Sequence, residues 1–224
     1  MWLQINKYYH IVNDLINNKQ VLENPQQFYN KIKLEGHLFN GITDGTMSHG
    51  EGWHFARLGR QIERADKTSR ILDVKYFILL PKGKVIASTI DNIQWFSLLK
   101  STSALQMYKV KHQTISPYNV VRFLILDYEF PRSIFYSIKN ADLSLHEILN
   151  TPIGTYKTDS ERYLGKLYSE LKFTNTNEIL KFGMHEFLDK FQEQLNDIGN
   201  YIFEDFFDFS NQITFNTQIG DQQQ

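Results

Sequence analysis

The sequence predicts an all-α protein, an antiparallel bundle of about seven helices. Apolar residues recur at three- and four-residue steps along most of the 224-residue chain, which is the spacing of one helix face. The 12 glycines and 5 prolines are sparse and fall mostly between these periodic segments, as expected for helices joined by short connections. No segment clearly alternates like a strand, and only the run from Lys84 to Thr89 is ambiguous.

Two helices and a connection are predicted before residue 48. The first helix runs from Trp2 to Asn18 and begins without a capping signal, from which we expect the chain to be the later part of a longer protein. Its stripe at helical spacing is Leu3, Asn6, Tyr9, Val12 and Ile16. The second helix begins at Asn24-Pro25, because proline suits the first helical position. The segment from Gly41 to Met47 is then predicted to be a connection.

The longest helix is predicted from Ser48 to Leu80. Ser48 and Glu51 have the spacing of a capping box, in which each side chain binds a free backbone N–H group at the helix start. The segment from Pro81 to Lys84 ends this helix. Its core stripe is Phe55, Leu58, Ile62, Ala65, Ser69, Leu72 and Tyr76.

Further helices are predicted over residues 86–112, 117–126, 132–138, 142–149, 160–173 and 176–207. The helix after the Ser116-Pro117 cap is apolar almost all round, so we expect it to be central. The segment from Thr151 to Lys157 is the best linker candidate, but it is short and apolar helices flank it. We therefore expect one domain over residues 1–209 and a polar, flexible tail over residues 210–224.

Composition excludes several functional classes. A formal net charge of −1 argues against an overall basic nucleic-acid-binding protein. The absence of cysteine excludes disulfides, thiolate metal sites and a cysteine nucleophile. No apolar run approaches the ~20 residues of a membrane helix, and the N-terminus lacks the pattern of a signal peptide. We therefore expect a cytoplasmic protein that does not bind membranes.

A line of charges lies beside the core stripe of the longest helix. Residues three and four apart share a helix face, and this line is Gly59, Glu63, Asp66, Arg70, Asp73 and Phe77. The line indicates either a salt-bridge network between helices or a polar pocket. In a pocket, Glu63 and Asp66 would be acid–base groups or metal ligands and Arg70 would hold an anion. The remaining cations of this helix are expected to be solvated: Arg57, Arg64, Lys67 and Lys75.

Gly59 at the start of the line predicts a close approach by another helix or by a ligand, because glycine costs about 1 kcal/mol in a helix relative to alanine. A metal site is not expected. Glu51 and His54 have the Glu-x-x-His spacing of carboxylate di-iron bundles, but the chain has no second such motif. There is also no glycine-rich phosphate loop, and we expect no cofactor.

Arg132 and Ser133 form a second candidate site. They follow Pro131, which can start a helix, so free N–H groups and the guanidinium could hold a phosphate or a carboxylate. The favoured interpretation is structural, with Arg132 paired to Asp127 or Glu129 so that it locks the turn.

Two segments resemble the bacterial alpha-E family, a family of all-helical proteins. They are Gly45 to Phe77 (GTMSHGEGWHFARLGRQIERADKTSRILDVKYF) and Phe123 to Ile138 (FLILDYEFPRSIFYSI). The family pattern of Glu-Arg-Ala followed by Thr, Arg and Leu-Asp stands at Glu63, Arg64, Ala65, Thr68, Arg70, Leu72 and Asp73. Full-length members carry an earlier copy of the Glu-Arg-Ala helix, so the resemblance implies that this chain is the C-terminal two-thirds of a member.

The resemblance implies a functional context rather than a reaction. Family members are typically encoded beside, or fused to, a circularly permuted ATP-grasp ligase, often with a transglutaminase-like peptidase. Such a set resembles machinery that forms and cuts amide bonds. The first hypothesis is therefore a non-catalytic helical partner of the ligase or of its peptide substrate. The second is an enzyme that uses Glu63, Asp66 and Arg70, and the third is a purely structural assembly module.

Overall fold

The structure, a computed structural model, describes residues 1–79 and 89–208. The predictions for residues 80–88 and for the tail from residue 210 lie outside this part of the chain. Within it there are α-helices and no strand, which confirms the all-α prediction. None of the helices in the described ranges has the length and apolar content that a membrane span requires.

Eleven helices are present in the described residues. They are α1 (Trp2–Asn17), α2 (Gln20–Glu23), α3 (Pro25–Thr46), α4 (Glu51–Leu79), α5 (Thr89–Ser101), α6 (Leu105–Lys111), α7 (Pro117–Leu126), α8 (Ile134–Leu149), α9 (Asp159–Phe173), α10 (Thr176–Phe182) and α11 (Met184–Phe206). Two predicted long helices are each divided in two. Ser103 adopts a left-handed φ of 55° between α5 and α6, and Gly183 has a φ of 110° between α10 and α11.

Several predicted boundaries are wrong because the helices continue further or begin later. The helix α3 includes Gly41, so the predicted connection is shorter by most of its length. The helix α4 begins at Glu51, and the N–H of His54 donates to the carbonyl of Gly50 at 3.1 Å. Gly50 therefore occupies the N-cap position expected for Ser48. The two short helices predicted after Pro131 are one helix, α8, capped by the hydroxyl of Ser133.

The chain divides into two compact units, the first from Met1 to His54 and the second from Phe55 onward. The single domain expected over residues 1–209 stays a prediction. In the first unit the Nε2 of Gln4 on α1 donates to the Oε2 of Glu35 on α3 at 2.7 Å. The side chain of Asn24 caps α3 by accepting from the N–H of Gln27 at 3.2 Å, as predicted.

The packed face of α1 differs from the predicted stripe. Gln4 and Leu15 of this helix are buried, and Tyr8, Ile11, Val12 and Asn13 are half-buried. Leu3, Tyr9 and Ile16 of the predicted stripe are instead 77%, 61% and 55% exposed. Two stripes at helical spacing are present on α1, and periodicity does not distinguish the packed stripe from the exposed one.

The second unit is built around α7, as its sequence predicts. The cap of α7 is the hydroxyl of Ser116, which accepts from the N–H of Asn119 at 3.2 Å. The fully buried residues of α7 are Val120, Val121, Phe123, Leu124 and Ile125. The helix α8 packs against α7 and α9, and α11 packs against α9 and α10. Leu58, Ala65, Ser69 and Leu72 of the predicted α4 stripe are buried, which confirms the orientation of that helix within this unit.

Candidate functional site

The predicted charged line on α4 lies at the surface of the second unit. The side chain of Glu63 is 72% exposed, and its carboxylate lies 3.9 Å from the Nζ of Lys67. The Nε of Arg70 donates to both carboxylate oxygens of Asp66 at 2.9 Å. The hydrogen bond with Asp66, and then the attraction of its charge, raise the pKa of Arg70. The line therefore brings Asp66 and Arg70 together in an exposed pair along one helix, with Glu63 directed to water.

At the C-terminal end of the charged line, Asp73 forms a pair with another helix, and contacts between helices are what the network interpretation of the line predicts. Asp73 on α4 lies 2.8 Å from the Nδ1 of His185 on α11. The hydrogen bond with Asp73 raises the pKa of His185, and the nearby carboxylates of Asp189 and Glu186 act in the same direction. The protonated imidazole can therefore donate to Asp73 and join α4 to α11. The expected close approach at Gly59 is absent, since no described neighbour lies within 4 Å of a Cβ built there.

Cations of α4 that were expected to be solvated are hydrogen-bonded, which corrects the sequence interpretation. Arg64 donates through Nη1 to the carbonyl of Pro131 at 3.2 Å, and Arg57 donates to the side chain of Asn140. Lys75 is 1% exposed, and its Nζ donates to the Oε1 of Gln94 at 2.7 Å. These contacts use long side chains that reach a neighbouring element, so periodicity alone misses them.

The turn between α7 and α8 is locked, but by a different cation from the one predicted. The Nζ of Lys111 lies 2.7 Å from Asp127 and 2.7 Å from Glu129, so the favoured pairing of Arg132 with these acids is wrong. Asp127 also accepts from the N–H groups of Glu129 at 2.9 Å and of Phe130 at 2.7 Å. Burial by itself would raise the pKa of Asp127, but the hydrogen bonds from Lys111 and these amides outweigh it and lower the pKa.

The alternative anion site at Arg132 and Ser133 stays a prediction. The hydroxyl of Ser133 is buried, donates to the carbonyl of Asp127 and accepts from the N–H of Tyr136 at 3.0 Å. The carbonyl of Arg132 accepts from the hydroxyl of Thr68 on α4 at 2.9 Å. Among the described residues the guanidinium of Arg132 has no hydrogen bond or ion pair, so it is the group of this site that could still bind an anion.

A buried polar network joins α8 to the start of α9, and sequence reasoning missed it. Asp142, His146 and Glu161 are 4%, 6% and 3% exposed. The hydroxyl of Thr151 donates to Glu161, so it accepts at 2.8 Å from the Nδ1–H of His146. The second carboxylate oxygen of Glu161 accepts from the N–H of Lys157 at 2.7 Å. This network fixes the loop between the two helices.

Asp142, one of the carboxyl groups of the network, has a raised pKa. Burial raises the pKa of Asp142, the charge of His146 opposes this effect, and the carboxylate of Glu161 reinforces it.

A sequence signal for the network was present. Thr158 and Glu161 have capping-box spacing, and the side chain of Thr158 caps α9. The carboxylate of Glu161 turns away from the cap and toward Thr151.

One concave site in the second unit is an apolar cavity of about 400 Å³ between the end of α9, α10 and the first half of α11. Its apolar lining consists of Leu167, Leu171, Phe173, Ile179, Phe182, Phe187 and Phe191. Two of these rings are directed to water, since Phe173 is 80% and Phe182 is 61% exposed. A cavity of this size and composition can bind an apolar group of a partner or of a small molecule.

Among the charged groups at the edge of the cavity, the two carboxylates accept hydrogen bonds and the lysine does not pair with any described residue. Glu170 accepts from the Nε2 of Gln194 at 3.1 Å, and Glu178 accepts from the N–H of Asn175 at 3.0 Å. Lys190, on the same lining, has no ion pair or hydrogen bond within the described part of the chain. Lys190 is therefore an exposed cation beside an apolar surface, and no described residue pairs with it.

Comparison with known proteins identifies a family. A family model described as a predicted alpha-helical domain with a conserved ER motif matches residues 1–207. The chain contains two Glu-Arg dipeptides, Glu63-Arg64 and Glu161-Arg162. Neither the curated proteins nor the solved structures contain a match to this chain.

Proposed function

Because this chain belongs to the Alpha-E family, we propose that it is a non-catalytic helical partner of an ATP-grasp ligase in a system that forms peptide or amide bonds. The ligase, and with it a transglutaminase-like peptidase, is the partner that the sequence resemblance implies. The observation that carries the proposal is the apolar cavity of the second unit with its exposed rings, Phe173 and Phe182. Exposed aromatic rings beside a preformed apolar cavity are typical of surfaces that bind other proteins.

The lining of the cavity defines the kind of contact that the ligase would make. An apolar side chain of the partner would enter between α9 and α11 and cover the exposed rings. A carboxylate of the partner would pair with Lys190, because Glu170 and Glu178 already accept hydrogen bonds. We therefore propose that the ligase contributes an apolar anchor next to an acidic residue.

The arrangement of the Glu63-Arg64 dipeptide supports an accessory role. Arg64 is used inside the fold, where it donates to the carbonyl of Pro131 that precedes α8. Glu63 is directed to water, and Lys67 is its ion-pair partner. An arginine that holds a turn and a glutamate in bulk solvent do not form the shared, partly dry site in which pairs of catalytic groups usually lie.

The cavity provides the direct test. We expect the purified ATP-grasp ligase encoded beside this chain to bind the wild-type protein, and we expect Phe173→Asp and Phe182→Asp to weaken binding by about tenfold or more each. Both rings are exposed, so the variants should keep the wild-type melting temperature. Isothermal titration calorimetry measures the affinity, and thermal unfolding measures the melting temperature.

Phe203→Asp is the matched control, because Phe203 on α11 is 60% exposed and does not line the cavity. It should bind the ligase like the wild type. Absence of binding by the wild type at micromolar concentration would defeat the partner hypothesis and favour a structural module. Normal binding by both cavity variants would place the contact elsewhere.

The alternative proposal, an enzyme that uses Glu63, Asp66 and Arg70, is tested by Glu63→Gln. Because the carboxylate is 72% exposed and 3.9 Å from its lysine partner, we expect the melting temperature to change by less than about 1 °C. On the partner hypothesis the product of the complete system should also form at the wild-type rate. Loss of product at an unchanged melting temperature would instead establish the enzyme hypothesis.

A further inference from the structure

The segment from Asn92 to Leu126 is basic, although the chain as a whole carries a net charge of −1. It contains none of the 25 acidic residues of the chain. Its basic residues are Lys100, Lys109, Lys111 and Arg122. The segment spans most of α5 and all of α6 and α7, within the second unit. Such a separation of charge gives one part of a protein a positive field, which attracts anionic partners.

The cations of this segment differ in whether they are paired. Lys111 lies 2.7 Å from each of two carboxylates in the turn before α8. Lys100 and Lys109 are exposed, and within the described residues neither ammonium group has an ion pair or a hydrogen bond. The Nζ of Lys109 on α6 lies 5.7 Å from the centre of the Phe96 ring on α5, so the exposed surfaces of the two helices adjoin.

Exposed apolar side chains lie beside these two lysines. On α5, Ile93 is 59% and Phe96 is 38% exposed, and both share one side of the helix with Lys100 because the three residues are three and four apart. On α6, Val110 follows Lys109 and is 78% exposed. We name these five residues the α5–α6 face. It combines apolar side chains with two cations and contains no carboxylate.

The composition of the α5–α6 face favours a protein over other anionic partners. Ile93 and Val110 are aliphatic, and they cannot stack on bases as the aromatic residues of nucleic-acid-binding surfaces do. Glu129 is 61% exposed and lies 2.7 Å from the last lysine of α6, where the continuous negative charge of an anionic membrane would repel it. A protein segment carries its carboxylates singly, so it can pair with Lys100 and Lys109 and avoid Glu129.

We propose that the α5–α6 face binds an acidic amphipathic segment of a partner protein. The carboxylates of this segment pair with Lys100 and Lys109, and its apolar side chains cover Phe96 and Val110. None of these residues lines the cavity between α9 and α11, so the proposal does not depend on the ligase contact. Binding should weaken as the ionic strength rises, because salt screens exposed charges.

The test uses the full chain and a labelled synthetic peptide of about 20 residues that has leucine on one helical face and glutamate on the other. We expect this peptide to bind the wild type, and we expect Lys100→Glu and Lys109→Glu each to weaken binding about tenfold or more. Lys166→Glu is the matched control, because Lys166 is exposed on α9 and the net charge changes equally. It should bind the peptide like the wild type. Fluorescence anisotropy measures the affinity.

Val110→Ser tests the apolar part of the face and should weaken binding about threefold or more. Ile153→Ser is its control, because Ile153 is 70% exposed in the loop between α8 and α9. It should leave the affinity unchanged. All five substituted side chains are exposed, so each variant should keep the melting temperature of the wild type.

The same assay with phosphatidylserine vesicles and with single-stranded oligothymidine tests the other anionic partners. Tighter binding of the wild type to either one than to the peptide would overturn the proposal. So would absence of peptide binding at about 100 μM. An unchanged affinity in any of the three variants of the α5–α6 face, or an equal loss in Lys166→Glu, would overturn it as well.

Discussion

Replacing Glu161 by alanine should lower the free energy of unfolding by about 3 kcal/mol. The carboxylate is 3% exposed and accepts hydrogen bonds from the hydroxyl of Thr151 and from the N–H of Lys157. Without it, a buried hydroxyl and a backbone donor lose their acceptor in a place that water reaches poorly. Relief of the repulsion between Glu161 and Asp142 offsets only part of this cost.

Urea unfolding followed by circular dichroism measures the change, with Glu147→Ala as the control. Glu147 lies on the exposed side of α8, so its loss should change the free energy of unfolding by less than about 0.5 kcal/mol. Equal effects of the two substitutions would contradict the assignment of Glu161 to a buried network. The result is independent of any partner, since the network lies within one unit of the chain.

Asp127→Ala should lower the free energy of unfolding by about 2 kcal/mol. The side chain accepts from the N–H groups of Glu129 and Phe130 and pairs with Lys111 at 2.7 Å. Asp127→Asn should recover about half of the loss, because an amide oxygen still accepts from the backbone but no longer attracts the lysine. Thermal unfolding at constant ionic strength measures both variants, and indistinguishable melting temperatures for the alanine variant and the wild type would contradict the role of Asp127.

The pH dependence of stability gives a second measurement on Asp127. Its pKa is lower in the folded protein than the ordinary value of 3.8, so the folded state holds the ionised form more strongly than the unfolded state does. The resulting stability is present above the unfolded pKa and is lost as the pH falls through the folded pKa. Asp127→Asn should therefore flatten the stability profile below about pH 4 and leave its shape near neutrality unchanged.

The predictions from the sequence were most accurate where one local pattern was enough to define a helix cap or a buried face. The caps at Asn24 and Ser116 need only a side-chain oxygen two or three residues before a free N–H, and both are present. The central position of α7 followed from a helix that is apolar almost all round. The buried face of α4 followed from a single clean stripe, of which Leu72 and Ala65 are fully buried.

The predictions were less accurate where two faces of one helix had similar patterns of residues. On α1 two stripes share the helical period, and the one that is packed includes Gln4, whose Nε2 donates to the Oε2 of Glu35 on α3. On α4 the charged line of Glu63, Asp66 and Arg70 was predicted to face other helices and Arg57 and Arg64 to be solvated, yet Arg57 and Arg64 make contacts with other elements. Which group a long side chain contacts depends on how far the side chain extends and on where the neighbouring helices end.

The amino-acid pattern was enough to predict a helical chain, the positions of most of its helices, the buried faces of α4 and α7, and the family. Helix period, capping and motif spacing are short-range properties of neighbouring residues. The three-dimensional packing was needed to show that Lys111 rather than Arg132 holds the turn before α8. It also decided that Glu161 is buried with His146 and that α9, α10 and α11 enclose an apolar cavity. These features join residues that are distant in the chain, and their energies depend on burial and on exact separation, which only the packing of whole helices sets.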